Sequence, residues 1–166
     1  ITVERESSTR VYESSYNGMF RGCTNLISGP KLLPALVVPK DGYSSFFEGC
    51  VKLVEVPIIS ATTVSGATAL NRMFCANRND KADTPLTKGP VLHITNPSAY
   101  SNTYQQIFAG HQNLNEVTIH AEGTDLSFAN WLNNVSASGV IKKKSTTTLT
   151  SGVNGVPSGW STQDID

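Results

Sequence analysis

The chain has 166 residues, enough for one domain with a buried core, and only 16% of them are charged. Lysine plus arginine and aspartate plus glutamate both number 13, so the chain lacks the basic field that draws proteins to nucleic acid. The most apolar run, residues 32–39, contains two prolines and is far shorter than the ~20 residues of a membrane-spanning helix.

The first 15 residues are polar apart from Ile1, Val3, Val11 and Tyr12. Because the chain begins at Ile1, without an initiating methionine or a signal peptide, we interpret it as a processed or excised piece of a longer protein. Residues 1–15 are predicted to form a partial N-terminal cap or a linker.

A repeat begins at Tyr16. The stretch "YNGMFRGCTNL" at residues 16–26 and the stretch "YSSFFEGCVKL" at 43–53 place a tyrosine, a hydrophobic pair, a Gly-Cys pair and a leucine at identical offsets, 27 residues apart. Further copies start near Leu70 and Tyr104, and a degenerate copy starts at Phe128. Self-similarity at a fixed period is typical of solenoid proteins.

Each copy is predicted to form a short helix, a turn and a strand. Tyr16, Met19, Phe20 and Cys23 have the i, i+3, i+4, i+7 spacing of one helix face, and the glycine before the cysteine can end the helix. In the fourth copy, "EVTIHA" at residues 116–121 alternates polar and apolar residues, as a half-buried strand does.

One such unit cannot bury its apolar side alone, whereas stacked units can. We therefore predict an α/β solenoid of the leucine-rich-repeat type over residues 16–125. The phenylalanines of the hydrophobic pairs should then form a single file of Phe20, Phe47, Phe74 and Phe108. The alternative is a compact α+β domain whose self-similarity is accidental.

The third copy is longer than the others, since Leu70 and Tyr104 are 34 residues apart. The added residues are predicted to form a surface loop within residues 76–90. This segment carries five charged residues, which are Arg78, Asp80, Lys81, Asp83 and Lys88. It is the one candidate binding loop, although we favour a tolerated insertion because surface loops lengthen at little cost in free energy.

The repeat fades after residue 125. Residues 126–166 are predicted to form a degenerate last repeat and a C-terminal cap, since an open stack would expose its last apolar layer. The basic run Lys142–Lys144 is too short to make a nucleic-acid surface.

The repeat pattern resembles the BspA-like leucine-rich-repeat surface proteins of gut and oral bacteria and related proteins encoded by their prophages. The similarity covers about residues 16–160 and is most specific at residues 16–26, at 43–53 and in the ending "NWLNNVSASGVIKK…GVNGVPSGW" at 130–160. The family's Pro-x-Leu-Pro-Ala is one residue longer here, and the third and fourth copies lack the repeat cysteine. The resemblance implies an extracellular binding or display module, cell-surface or virion-associated, with no catalytic residues to carry over.

Cys23 and Cys50 occupy equivalent positions in successive copies. A disulfide between them would require Cα atoms within ~7 Å. We favour buried free thiols, because Asn77 and His111 fill the same position in later copies.

His93, His111 and His120 are the histidines of the chain, with gaps of 18 and 9 residues. Metal-ligand pairs usually have tight spacings such as H-x₃-H, so no metal site is predicted. His111 is expected to form hydrogen bonds in or at the edge of the stack, and His120 to point outward from its strand.

No catalytic motif is recognisable in the sequence. A G-x-S-x-G elbow is missing, and "SGVNGVPSG" at 151–159 lacks the lysine of a phosphate loop and is typical of consecutive turns. The carboxylates Glu116, Glu122 and Asp125 are the candidates for an acid–base pair acting on a glycan, although isolated surface acids are commoner. We predict no catalytic, cofactor-binding or metal-binding residue and no cofactor.

Three functions remain open. We favour a non-enzymatic binding or display module of a bacterial surface or phage tail, whose outward side chains, such as Thr118 and His120, contact a protein or glycan. The others are a glycan-active enzyme and a purely structural spacer. No nucleic-acid partner and no membrane insertion are expected.

Overall fold

A computed structural model describes residues 11–94 and 102–166 of the chain. These residues form a β-solenoid of about 5 turns, in which no helix is present. The predicted solenoid is therefore confirmed, whereas the predicted helix–turn–strand unit is wrong. Most of the predicted N-terminal cap, residues 1–10, lies outside the described residues.

Ten short strands follow one another along the described chain. They are β1 (Leu32–Leu33), β2 (Val37–Val38), β3 (Ile58–Ile59), β4 (Thr63–Val64), β5 (Lys88–Ile94), β6 (Glu116–Ala121), β7 (Gly123–Leu126), β8 (Gly139–Lys143), β9 (Thr147–Leu149) and β10 (Trp160–Asp164). Their pairing is parallel throughout, with β5, β6, β8 and β10 in one sheet and with the two-stranded pairs β1–β3, β2–β4 and β7–β9. Parallel pairing of equivalent strands is what a repeated coil produces.

The segments predicted as helices are ladders of consecutive β-turns. In the second coil, the amides of Phe46, Glu48 and Cys50 donate to the carbonyl three residues back. The amides between them donate to the next coil, as Phe47 does to Met73 O at 2.8 Å. A helix would satisfy all of these amides within itself. The ladder instead uses about half of them to join neighbouring coils, and this is the physical reason that the helix prediction fails.

Every second turn of a ladder places its third residue at positive φ. In the second coil these residues are Asp41, Ser45 and Gly49, with φ values of 54°, 55° and 79°. Glycine adopts this region without the steric penalty of a Cβ atom. The glycine of the repeated Gly-Cys pair therefore serves a turn and does not end a helix.

The predicted file of phenylalanines is present. The ring centroids of Phe47 lie 5.5 Å from those of both Phe20 and Phe74, with interplanar angles of 10° and 19°. Phe74 stacks in turn on Phe108, at 5.8 Å and 17°. The last three rings are almost completely buried, so the file is the centre of the core that joins the coils.

Only a few residues of the insertion in the third coil protrude from the stack. Asn77 N donates to Ala109 O, and Ala82 N donates to Gly110 O at 2.7 Å, so the chain is outside the ladder between them. Thr84, which follows, is buried. The protruding loop is thus residues 78–81, which lie within the predicted 76–90.

The C-terminal segment covers the last ladder. Phe128 N donates to Asn154 O at 2.6 Å, and the indole Nε1 of Trp131 donates to Gly155 O at 2.9 Å. The turns of residues 151–159 therefore supply acceptors where a further coil would otherwise do so.

Candidate binding face

Alternation along the strands creates one outward surface. Leu33 and Ile59 point into the core, whereas Leu32 and Ile58, which are directly paired across β1 and β3, point outward. Strand β3 contacts β5, so the surface continues onto the four-stranded sheet. We call it the outer face, and it consists of Leu32, Ile58, Lys88, Val91, His93, Glu116, Thr118, His120 and Lys142.

One end of the outer face is apolar. Leu32, Ile58 and Val91 lie on β1, β3 and β5, in three successive coils, and are 49%, 70% and 41% exposed. Single exposed aliphatic residues are ordinary, but a row of them over adjacent strands is typical of an interaction surface.

The other end of the outer face is charged and balanced. Glu116 lies between Lys88 and Lys142, whose Nζ atoms are 3.4 and 3.2 Å from its carboxylate oxygens. Burial alone would raise the pKa of Glu116, but the hydrogen bonds and charges of Lys142 and Lys88 outweigh it and lower the pKa. This carboxylate is therefore ionised at neutral pH.

Near the C-terminal ends of β5 and β6, beyond Val91 and Thr118, lie two histidines that the structure brings together. His93 and His120 are register partners on β5 and β6, with ring centroids 4.9 Å apart and an interplanar angle of 78°. Burial, and then the neighbouring His120, lower the pKa of His93. The two histidines are 27 residues apart in the sequence, which equals the repeat period, and residues one period apart are neighbours in a solenoid. A metal site is not predicted from the sequence when only short spacings such as H-x₃-H are considered.

His111 is a core residue, and its predicted hydrogen bonding is confirmed. Its Nε2 faces the carbonyl of Phe74, and its Nδ1 lies 2.9 Å from Thr84 Oγ1. Because a carbonyl only accepts, Nε2 carries the proton and Nδ1 accepts from the threonine hydroxyl. Burial lowers the pKa of His111 to about 4, so the ring is neutral and takes no part in the outer face.

All three cysteines are free, as predicted for Cys23 and Cys50, but only Cys50 and Cys75 are buried. Cys50 donates to Phe20 O at 3.0 Å, whereas Cys23 is exposed, which corrects the prediction that both fill the core. Burial raises the pKa of Cys50 to about 11 and that of Cys75 to about 12. These two thiols are therefore protonated and unreactive at neutral pH.

Two of the three carboxylates proposed for acid–base chemistry, Glu116 and Glu122, have a lowered pKa. Glu122 accepts a 2.8 Å hydrogen bond from Lys144, which lowers its pKa, as the lysines do for Glu116. A glycosidase acid needs a raised pKa. Asp125 lies in strand β7, where its backbone amide donates to Thr148 Oγ1.

Several of the remaining charged candidates are also paired. Lys143 lies 2.6 Å from Asp164, so each lysine of the basic run has a carboxylate partner. In the 78–81 loop, Arg78 donates to Glu48, a buried carboxylate that Arg21 approaches at 3.3 Å from the preceding coil. This contact anchors the base of the loop to the stack.

Comparisons of the chain with protein-family models, with curated proteins and with solved structures find no match. Within residues 11–94 and 102–166, no helix is long and apolar enough to cross a membrane. In this same part of the chain, no group of three or more histidine, cysteine, aspartate or glutamate side chains is placed to hold a metal ion.

Proposed function

We propose that the protein is a non-enzymatic, extracellular binding or display module of a bacterial surface or phage tail, and that its outer face contacts a protein. The observation that carries this proposal is the exposed aliphatic row of Leu32, Ile58 and Val91 beside a balanced set of charges. Desolvation of such a row supplies affinity, and the charged rim supplies specificity.

The construction of the solenoid supports a binding role. The core is built from the inward residues, such as Leu33 and Ile59, and from the phenylalanine file. Outward residues of the same strands do not contribute to the core. They form a rigid surface that loses little conformational entropy on binding.

The chemistry of the row favours a protein over a glycan. Its members are aliphatic, and aliphatic side chains lack the flat ring faces on which sugar rings stack. Protein interfaces bury apolar side chains at their centre, and the row supplies three of them.

The test is saturable binding of the labelled protein to bacterial and host-cell surfaces. We expect binding that is abolished by protease treatment of the cells and retained after glycosidase treatment. Leu32→Glu with Ile58→Glu should weaken binding by about 100-fold, since two apolar anchors of ~1–2 kcal/mol each are replaced by charges.

Val153→Glu is the matched control, because Val153 is also exposed but lies in the C-terminal cap. This variant should bind as the parent does. Loss of binding with glycosidase but not with protease would contradict a protein partner. Equal binding by the face variant and the control would contradict the outer face as the site.

A further inference from the structure

The paired histidines of the outer face have the arrangement of a metal-binding pair. His93 and His120 stand opposite each other in the β5–β6 register, and both side chains point to solvent. Among the described residues, neither ring forms a hydrogen bond with a protein group, so their nitrogens are available as ligands.

The separation of the rings matches that of two imidazoles on one ion. A zinc–nitrogen bond is about 2.1 Å long and the ring centre lies roughly 1.1 Å further, so two rings on a tetrahedral ion have centres about 5 Å apart. The centroids of His93 and His120 are 4.9 Å apart. Rotation about the exposed side-chain bonds turns one nitrogen of each ring toward a shared ion without moving the strands.

The local charges favour the ligating form. Burial and the neighbouring His120 lower the pKa of His93, which favours the neutral imidazole that coordinates a metal. The adjacent lysines are paired with carboxylates, Lys142 with Glu116 and Lys144 with Glu122, so their charge opposes a cation less than that of free lysines.

We propose that His93 and His120 form an open two-histidine site for a divalent transition-metal ion, namely Zn²⁺, Ni²⁺ or Cu²⁺, with water in the remaining positions. Imidazole suits these ions, and Cu²⁺ should bind most tightly of the three. The proposal stands on the geometry of the pair and does not depend on the function proposed above.

The test uses chelator-treated protein of the full chain and a zinc titration followed by NMR of the imidazole carbons and protons. We expect the ring signals of His93 and His120 to shift together and to saturate at one ion per chain. The signals of His111 should stay unchanged, because that ring is buried and hydrogen-bonded. Affinity should fall on acidification, because a protonated imidazole does not coordinate a metal.

Two single variants and a control complete the test. His93→Gln and His120→Gln should each weaken zinc binding by about tenfold or more, because a chelate becomes a single ligand. Thr118→Gln, on the same face, should leave it unchanged. Zinc affinity equal to that of the parent in either histidine variant, or ring signals that do not move, would overturn the proposal.

Discussion

At the scale of single residues, the cysteine position of the repeat shows what the coil requires there. Cys50 donates to the carbonyl of Phe20, and His111 binds the carbonyl of Phe74, the equivalent phenylalanine two coils further on. In the second and fourth copies the position holds a buried donor to the preceding coil, and thiol or imidazole fills that role, whereas Cys23 and Asn77 at the same position are exposed. This explains why the residue varies while the fold does not.

His111 should make stability depend on pH. Its folded-state pKa is lowered from 6.5 to about 4, so between these values the unfolded chain binds a proton that the folded chain does not. The free energy of unfolding should therefore fall as the pH decreases through this interval, by about 3 kcal/mol in all. Urea unfolding at pH 7.5, 5.5 and 4 measures the effect.

The variant His111→Gln isolates this contribution from that of carboxylates. It should be less stable than the parent at pH 7.5, because the packing and the Thr84 hydrogen bond are altered, yet it should lose less stability between pH 6.5 and 4. The same pH dependence in both proteins would show that His111 is not the cause.

At the scale of elements, the sequence predicts the repeat but not the form of its first segment. The spacing of Tyr16, Met19, Phe20 and Cys23 fits a helix face, and a ladder of turns also satisfies it. The two structures differ in the hydrogen-bond acceptors of alternate amides. In the ladder these acceptors lie one coil away, so the local sequence does not reveal them. One signal was present, since glycine or a small polar residue recurs every fourth position at Gly18, Gly22, Ser45 and Gly49.

The candidate site was predictable only in part. The outward position of Thr118 and His120 follows from strand alternation and is confirmed. The contact between His93 and His120 is predictable only if residues one repeat period apart are taken as neighbours. The exposed row is predictable only if the register of β1 with β3 is known. Both depend on how coils align, which the one-residue-longer segment at 30–35 and the insertion in the third copy obscure.

Gly49→Ala distinguishes a turn ladder from a helix. Gly49 has a φ of 79°, and a Cβ atom there would make only ordinary contacts, so the penalty comes from the backbone alone. We expect a loss of about 1–2 kcal/mol in the free energy of unfolding. In a helix the same change would stabilise the protein by about 0.5–1 kcal/mol. Urea unfolding gives the sign directly.

Ser14→Gly is the complementary change in the first ladder. Ser14 is exposed and has a φ of 55°, so removing its Cβ atom relieves strain and offsets the added freedom of the unfolded chain. Its stability should stay within about 0.5 kcal/mol of the parent. A stabilising Gly49→Ala change combined with a clearly destabilising Ser14→Gly change would indicate a helix and contradict the ladder.

At the scale of the whole molecule, the ladders give the solenoid two chemically different ends. Their inter-coil amides point toward the C-terminal neighbour, and their carbonyls toward the N-terminal one. At the C-terminal end, Asn154 and Gly155 accept the last donors. At the other end, the carbonyls of Asn17, Met19 and Arg21 accept no backbone hydrogen bond from any described residue.

This first ladder also leaves apolar groups uncovered. Met19 is 56% exposed, although its equivalent Phe46 is buried. A cavity of about 510 Å³ lies beside them, lined by Tyr16, Phe20, Leu33 and others. The first coil packs on the second and buries its apolar residues. A further coil placed before the first would bury the apolar residues of the first coil in the same way.

Inserting a second copy of residues 16–42 before Tyr16 should therefore stabilise the protein. The alternate amides of the added coil meet the carbonyls of Asn17, Met19 and Arg21, and its copy of Phe20 extends the phenylalanine file by one ring. We expect a rise on the order of 2 kcal/mol in the free energy of unfolding, a steeper denaturant dependence, and slower amide exchange at the original Phe20.

The matched control is the same insert with its copy of Phe20 changed to serine, which keeps the length and the backbone donors but removes the ring. It should recover little of the added stability, because the gain comes mainly from apolar burial. If both inserts unfold at the parent's denaturant concentration and their amides exchange freely, neighbouring coils are not what buries the apolar side of each unit. The stacking argument for this solenoid would then be wrong at its N-terminal end.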